Sequence, residues 1–440
     1  EAYFVGGCVR DFLLGCEFSD IDITTNALPE EVKTIFRKSI DTGIQHGTVT
    51  ILVNGESYEV TTFRTEDDYI DHRTPEKVEF VSDLKEDLDR RDFTINAMAL
   101  NSKGKLYDYH CGEKDLRNKI IKTVNNPNER FFEDALRMLR AFRFSSKLGF
   151  EIEENTLKAI KNNAELIKFV SIERIVNEFR KLLTGKGNKR SLELLLDSKL
   201  NNYIPFLDEI SKIIDFSNYT FCQSLYILSN INDISFEKLK ELKLSNKEIK
   251  QVKIYEKINK DFISNVPLEI ILYNNDIEDV AFIASYSKYC NKENIEKIRL
   301  PIKSFNDIAI TSTEIISIID KTPGPWIKEV TKKLEEAILL NKINNKLKDF
   351  RYELDFDLII RESLLFVLYT NHLYTSEKDN SGYEEIIRSA ILKYELDNQN
   401  GRVVIKALIR GDEFSKKVQT LDDVLAGVLE LELEEKIIHP

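Results

Sequence analysis

Between Tyr3 and Thr123 the apolar positions follow two rhythms. Alternation of Val, Ile, Thr and Tyr with polar residues marks YFVGG, DIDITT, GTVTILV and SYEVTTF as strands, and VNGES reads as a hairpin turn. VRDFLLG and PEEVKTIF carry helical spacing instead. After Asn125-Asn126-Pro127 strand signals nearly vanish. Apolar residues then recur three and four apart, as in FFEDALRMLRAFRF and TLKAIKNNAELIKFVSIERIVNEFRKLL. Breaks fall at TGKGN (184–188), near Asn265-Val266-Pro267 and at KTPGPW (321–326). The pattern predicts an α+β chain: a head with a mixed β-sheet and helices, then a long helical part ending in an extra, mostly helical C-terminal domain.

Composition narrows this picture. A chain of 440 residues exceeds one ordinary core, and 42% hydrophobic with 31% charged residues describes a folded, soluble protein. Apolar runs are short and broken by charge, so neither a membrane span nor a membrane partner is expected. The chain opens at Glu1 directly before an apolar strand, with no signal peptide, which leaves room for native residues ahead of it. Five cysteines without CxxC spacing point to free thiols in a reducing, cytoplasmic setting and away from zinc. The net charge of −12 argues against nucleic acid only until it is resolved along the chain. Residues 85–147 hold 14 Lys and Arg against 10 Asp and Glu, whereas residues 355–440 hold 10 against 17. Phosphate contacts depend on the local cluster.

Candidate chemistry crowds the first strands. In SDIDI, a strand would project Asp20 and Asp22 from one face, about 7 Å apart. Carboxylates so placed can share Mg²⁺, which takes oxygen ligands and substrate phosphates; taken alone, a DxD is more simply two solvated aspartates at a turn. Gly6-Gly7 ends one strand and begins a helix, where bare N–H groups can cradle a triphosphate, and Arg10 in the first turn can add charge-assisted bonds. Glu59 in SYEVTTFR offers a third carboxylate, or an ordinary solvent-facing strand position.

In this order the motifs resemble those of the bacterial class II tRNA nucleotidyltransferases, the CCA-adding enzymes, within the poly(A) polymerase superfamily. GGCVRDFLLG…DID, EVTTFR (59–64), EDLDRRDFTINAMAL (86–100), YDYHCGEKDLRNKII (107–121), RFFEDALRMLRAFRFSSKLGF (130–150) and VSIERIVNEFRKLL (170–183) match successive family motifs, and PGPWIKEV (323–330) a stretch of the helical tail. The resemblance covers about residues 1–350. It implies a head (1–126), a neck (127–185), a body (186–270) and a tail (271–352), followed by an accessory extension (353–440) of unassigned role.

The implied function is template-independent addition of CCA to tRNA from CTP and ATP, with Mg²⁺, in the cytoplasm, by a monomer or homodimer. Asp20, Asp22 and Glu59 become catalytic, the first two as metal ligands. Gly6, Gly7, Arg10, Arg90, Arg91, Asp92, Asn96 and Arg140 become nucleotide-binding, and Asp108 and Asp115 keep a structural role. Asp134 and Arg137, three apart on an expected helix, face the same way. A carboxylate only accepts and a guanidinium only donates, so the pair suits the amine-beside-acceptor edge shared by cytosine and adenine and rejects uracil and guanine. Glu133 is placed to hold Arg137. TEDDYIDHRTPEKVEF (65–80) resembles the flexible loop of enzymes that add the terminal A, with Arg73 as its basic lever. Arg180, Lys181, Lys186, Lys189 and Arg190 form a plausible tRNA-phosphate corner, equally readable as a solvated face. Trp326 reads as a buried anchor. With no His-Asp doublet, a phosphohydrolase extension is excluded, and the last forty residues have helix–turn–helix spacing. An A-adding enzyme, a poly(A) polymerase and a catalytically silent tRNA-binding protein are the competing readings.

Overall fold

The computed structural model describes residues 1–17, 21–43, 47–69, 75–289, 295, 297–319, 322–346, 391–397 and 402–408. Contacts divide the chain into two units, Glu1–Ser304 and Phe305–Pro440.

The first unit is built on a seven-stranded sheet with the order β3-β4-β5-β2-β1-β8-β9. Its strands are β1 (Ala2–Val5), β2 (Asp22–Thr25), β3 (Ser39–Gly43), β4 (Thr48–Val53), β5 (Glu56–Thr62), β8 (Met98–Asn101) and β9 (Leu106–Asp108). Only β2 and β5 pair in parallel; the other neighbours are antiparallel. The VNGES turn is a two-residue hairpin, with Asn54 at φ 53° and Gly55 at φ 89°, the doubly positive backbone that Asn-Gly tolerates. The edge strand β3, rich in Ser, Asp, Thr and Gly, is an element the alternation pattern does not signal.

Strand alternation separates the two faces. Ile23, Val49, Ile51 and Val60 make one apolar patch, with Val32 of α2 (Pro29–Ile35) packed on it. The other face carries Asp22, Thr24, Glu59 and Thr61, together with Tyr3, Val5 and Ala99. Leu84 and Leu88 of α3 (Leu84–Asp89) pack against Tyr3, Val5 and Ala99 there. Two further strands, β6 (Arg64–Tyr69) and β7 (Pro75–Phe80), form a separate antiparallel ribbon. In the segment that resembles a flexible loop (65–80), the described residues 65–69 and 75–80 are strand, where Thr, Tyr, Val and Phe positions favour pairing. Gly47 (φ 76°) seats the base of this ribbon, since a Cβ there would stand 2.6 Å from the Phe80 ring.

Val9 of α1 (Gly7–Leu13) and Phe93, Ile95 and Met98 belong to the same buried core as Phe131, Phe142 and Phe179 of the following helices. Each such side chain contributes about 1.5–3 kcal/mol on burial, so sheet and helices are fused at this junction. The helices that matter for the site are α4 (Gly112–Arg117), α5 (Pro127–Glu133), α6 (Leu136–Leu148), α7 (Glu154–Asn163), α8 (Ile172–Leu183) and α9 (Asn188–Ser198). Two short strands, β10 (Ile120–Ile121) and β11 (Glu151–Ile152), pair in parallel between them. Helices α10 (Phe221–Ile231), α11 (Phe236–Lys240), α12 (Asn246–Ile263), α13 (Leu268–Asn274) and α14 (Ile277–Tyr286) follow. Among the described residues no helix is long and apolar enough to cross a membrane.

In the second unit α15 (Ser312–Ile319) is followed by α16 (Trp326–Leu339). Trp326 is half-buried at the start of α16, and its indole N–H donates to the Thr322 carbonyl at 2.9 Å. Of the extension, only residues 391–397 and 402–408 are described, and at Arg402–Leu408 strand replaces the helical spacing expected of the last forty residues. β12 (Ile391–Asp397) and β13 (Arg402–Leu408) form an antiparallel hairpin with Tyr394 opposite Ile405. RVVIKAL is β-branched and alternates, which outweighs the helical spacing read across it.

Candidate active site

Gly6 connects β1 to α1 with φ 75°, a left-handed conformation in which any side chain would be strained. A Cβ at this position would also lie 3.3 Å from Arg91 Nη1 and 3.6 Å from Asp22 Oδ2. The glycine therefore lets an arginine and a carboxylate approach the backbone together. Gly6, Gly7 and Arg10 line a cleft of about 520 Å³ between the sheet and α6. Arg10 is only 3% exposed; it donates to Asn96 Oδ1 at 2.6 Å and to Asp11 Oδ1 at 2.7 Å.

On the sheet, Asp22 and Glu59 are register partners on the parallel strands β2 and β5, so both carboxylates leave the same face side by side. Asp22 lines the cleft; Glu59 is exposed and stands outside its lining. Asp20 lies outside the described residues, as does Arg73. Among the described residues there is no group of three or more His, Cys, Asp or Glu side chains arranged for a metal. Oxygen donors at paired positions are nevertheless the set a hard divalent cation takes.

The RRDFTIN segment supplies the opposite wall. Arg90 and Arg91 both bond to the buried carboxylate of Asp87. Asp92 Oδ2 accepts from Arg140 Nε at 2.9 Å and Nη2 at 2.6 Å, while its Oδ1 accepts from Asn96 Nδ2 at 3.1 Å. Burial pushes both the Asp87 and the Asp92 carboxyls up, but the neighbouring guanidinium groups outweigh it and hold both below the usual carboxylate range.

One local expectation is corrected. Asp134 and Arg137 do not share a helix: α5 ends at Glu133, Asp134 is extended (φ −138°, ψ 102°), and α6 begins at Leu136. The Asp134 carboxylate accepts the Leu136 N–H at 3.1 Å, a cap that competes with helix continuation. Arg174 of α8 also holds it, at 2.8 Å from Oδ2. Arg137 is fixed from behind by Glu133 Oε2 at 2.6 Å and the Arg90 carbonyl at 3.0 Å, so the expected Glu133 contact is present. Both side chains line the cleft.

Further residues here escaped the sequence reading. Arg143 and Lys147 follow Arg137 and Arg140 along one face of α6, a periodicity that helical spacing could have exposed. The guanidinium groups of Arg10, Arg140 and Arg143 lie 5.3, 5.3 and 4.6 Å from the Phe144 ring. Glu178 of α8 reaches Arg140 at 3.7 Å and Arg143 at 3.3 Å, and Lys147 reaches Asp11 at 3.5 Å. Eight cationic side chains line the cleft against five carboxylates, so it is locally basic within an acidic chain. Asp108 caps α4 by accepting the Gly112 and Glu113 N–H groups, and Asp115 accepts from Thr94.

The suggested phosphate corner stands apart from the cleft. Arg180 pairs with Glu248 at 2.5 Å and lies 4.0 Å from the Phe221 ring, and Arg190 pairs with Glu151 at 2.8 Å. Lys181, Lys186 and Lys189 are exposed.

Known proteins resemble the chain over most of its length. A family model described as "Poly A polymerase head domain" matches residues 2–122, and one described as "Probable RNA and SrmB- binding site of polymerase A" matches residues 149–211. A tRNA nucleotidyltransferase domain 2 model matches residues 223–350. A CCA-adding enzyme of Ligilactobacillus salivarius (strain UCC118) is 44% identical over 364 residues, spanning 78% of this chain and 90% of its own. The chain belongs to the CCA-adding enzyme family. A CCA-adding enzyme of Staphylococcus aureus (strain Newman) is 40% identical, covering 79% of this chain and 91% of its own. The crystal structure of the Bacillus stearothermophilus CCA-adding enzyme in complex with CTP superposes with a TM-score of 0.73 at 35% identity, over 82% of this chain and 94% of that one. The Thermotoga maritima CCA-adding enzyme complexed with tRNA shares the fold, with a TM-score of 0.56 at 24% identity, over 81% of this chain and 91% of that one.

Proposed function

We infer that this chain adds C, C and A to the 3′ end of tRNA, drawing on CTP and ATP and releasing pyrophosphate. One juxtaposition carries the reading. A single cleft holds Gly6, Gly7 and Asp22 on its sheet side and Asp134 and Arg137 at the α5–α6 break. From Arg137 to Lys147, α6 rises about 15 Å, a length suited to a nucleotide lying with its base at the break and its phosphates toward α1.

The residues divide the work accordingly. Arg137, fixed by Glu133 and the Arg90 carbonyl, donates to the N3 of cytosine or N1 of adenine, and Asp134 accepts from the adjacent amine. A carboxylate has about four acceptor sites, so Asp134 keeps capacity beyond Arg174 and the Leu136 N–H. Uracil or guanine would leave these groups unsatisfied, the kind of mismatch that gives strong rejection. Arg90, Arg91 and Asn96 approach the sugar and phosphates, while Arg10 with Gly6 and Gly7 positions the triphosphate for attack by the tRNA 3′-hydroxyl on the α-phosphate. Mg²⁺ held by Asp22, with Glu59 beside it and Asp20, would lower the pKa of that hydroxyl and screen the developing charge. The resemblance of segment 65–80 to the flexible loop favours an enzyme that adds the terminal A over one that stops at CC. The head, neck, body and tail divisions and a cytoplasmic location complete the reading.

The test uses Mg²⁺ and three tRNA transcripts ending at the discriminator base, at C and at CC, each given CTP, ATP or both. Growth of the shortest transcript by three nucleotides is expected, and Asp22→Ala should abolish all incorporation in a folded protein. One A added only to the CC-ending transcript would make this an A-adding enzyme, a long A ladder a poly(A) polymerase, and no product a silent binder.

A further inference from the structure

Asp87 is the wholly buried charge on α3, at 0% exposure. Its helical neighbours Leu84 and Leu88 pack on the sheet as a core position demands. A leucine-like residue at 87 would fill such a place more simply, because taking a carboxylate out of water carries a penalty that its ion pairs often fail to exceed. Stability alone therefore does not account for this side chain, and its bonds show what it does.

Oδ1 accepts from Arg90 Nε at 3.1 Å and Nη2 at 2.9 Å. Oδ2 accepts from Arg91 Nη2 at 3.1 Å and from the Thr24 hydroxyl at 3.2 Å. Thr24 stands two residues after Asp22 on β2, on the same face of the strand. Arg91 in turn reaches over Gly6, beside the Asp22 carboxylate. One carboxylate thus ties two adjacent, mutually repelling guanidinium groups to the strand that bears Asp22.

We propose that Asp87 is a positioning residue for nucleotide binding: it fixes Arg90 and Arg91 in register with β2, so that phosphate contacts and the Asp22 carboxylate meet the same nucleotide. This rests on the functional reading above, in which Arg90 and Arg91 approach the nucleotide. Without the clamp the two guanidinium groups lose their shared anchor to β2, and displacement of positioning groups by about 1 Å can lower rates 10²-fold.

The experiment measures CTP, ATP and tRNA KM separately for the full chain and for Asp87→Asn, Thr24→Val and Thr24→Ser, each checked by thermal melting. Asp87→Asn is expected to raise the KM of CTP and of ATP at least tenfold and equally, with the tRNA KM unchanged. Thr24→Val, which leaves both arginine pairs in place, should produce a smaller rise of the same kind, and Thr24→Ser should restore the wild-type value. A folded Asp87→Asn protein with unchanged nucleotide KM would overturn the proposal. So would a rise in the tRNA KM as large as that in the nucleotide KM, which general loosening of the fold would give. If Asp87→Asn does not fold, Thr24→Val decides: an unchanged nucleotide KM overturns the proposal. A wild-type chain that binds neither CTP nor ATP would instead remove the functional reading, and this proposal with it.

Discussion

Burial acts on Asp92 in the direction that would neutralise it, and Arg140 and Asn96 act in the other and prevail. Asp87 is in the same position, with Arg91 and Arg90 as its counterweights. A carboxyl whose folded pKa lies below its unfolded value of about 3.9 contributes stability that is complete above that value and is lost as pH falls through the folded pKa. Melting temperature should therefore be nearly flat from about pH 8 to 5 and drop progressively below about pH 4. Asp92→Asn should lower stability at pH 7 by roughly 3 kcal/mol, since it leaves Arg140 without its closest partner, and should make the acid limb shallower. An acid limb of unchanged steepness would remove Asp92 from the explanation. The sequence shows these carboxylates but not their partners. Asp92 finds Arg140 48 residues away, and Asp134 finds Arg174 40 residues away. Motif order made Asp134 and Arg137 legible; Asp87, Arg174 and Glu178 were not, because nothing local marks a residue whose role is set by tertiary contact.

Helices α6 and α9 meet at the TGKGN loop, where Gly185 permits a contact no side chain could allow and Gly187 leaves only tight room for one. A Cβ on Gly185 would come within 2.6 Å of the Ser146 carbonyl carbon and 2.7 Å of its oxygen, and the Gly187 N–H donates to that oxygen at 2.9 Å. Ser146 lies one residue before Lys147, so this loop braces the end of the helix whose cations line the cleft. Gly185→Ala should cost about 1–3 kcal/mol, as overpacking does, whereas Lys186→Ala in the same loop should stay within about 0.5 kcal/mol. Paired thermal melts decide it, and equal effects would sink the bracing account. The sequence marked this loop as a break without saying what it touches. It likewise predicted β1, β2, β4, β5, α1 and α2, yet named none of the elements from Arg64 to Ile121 and missed β3, whose polar composition carries no alternation. It ran one helix through Asp134 because apolar spacing survives a break that a single capping carboxylate imposes.

Net charge sets the behaviour of the whole chain toward RNA in two regimes. At −12 the protein as a whole repels phosphate, so attraction must come from local groups, and these differ in environment. The cleft cations are partly buried and pinned by ion pairs, where salt screens weakly; Lys181, Lys186 and Lys189 are exposed, where the screening length is about 10 Å at 0.1 M salt. If those three lysines each neutralise one tRNA phosphate, counterion release predicts that raising monovalent salt from about 50 to 200 mM weakens tRNA binding roughly twenty- to fortyfold. The KM for CTP should change by less than about threefold over the same range, because buried pairs are screened far less. Steady-state titrations of each substrate at fixed Mg²⁺ measure both slopes. Replacing the three lysines by Ala should flatten the tRNA slope and leave the nucleotide slope alone. A CTP KM that climbs as steeply as that of tRNA would mean that nucleotide affinity rests on exposed charge, against the partly buried arrangement of Arg10, Arg140 and Arg143 around Phe144. A tRNA slope unmoved by the triple substitution would instead place the RNA backbone on another face of the helical part.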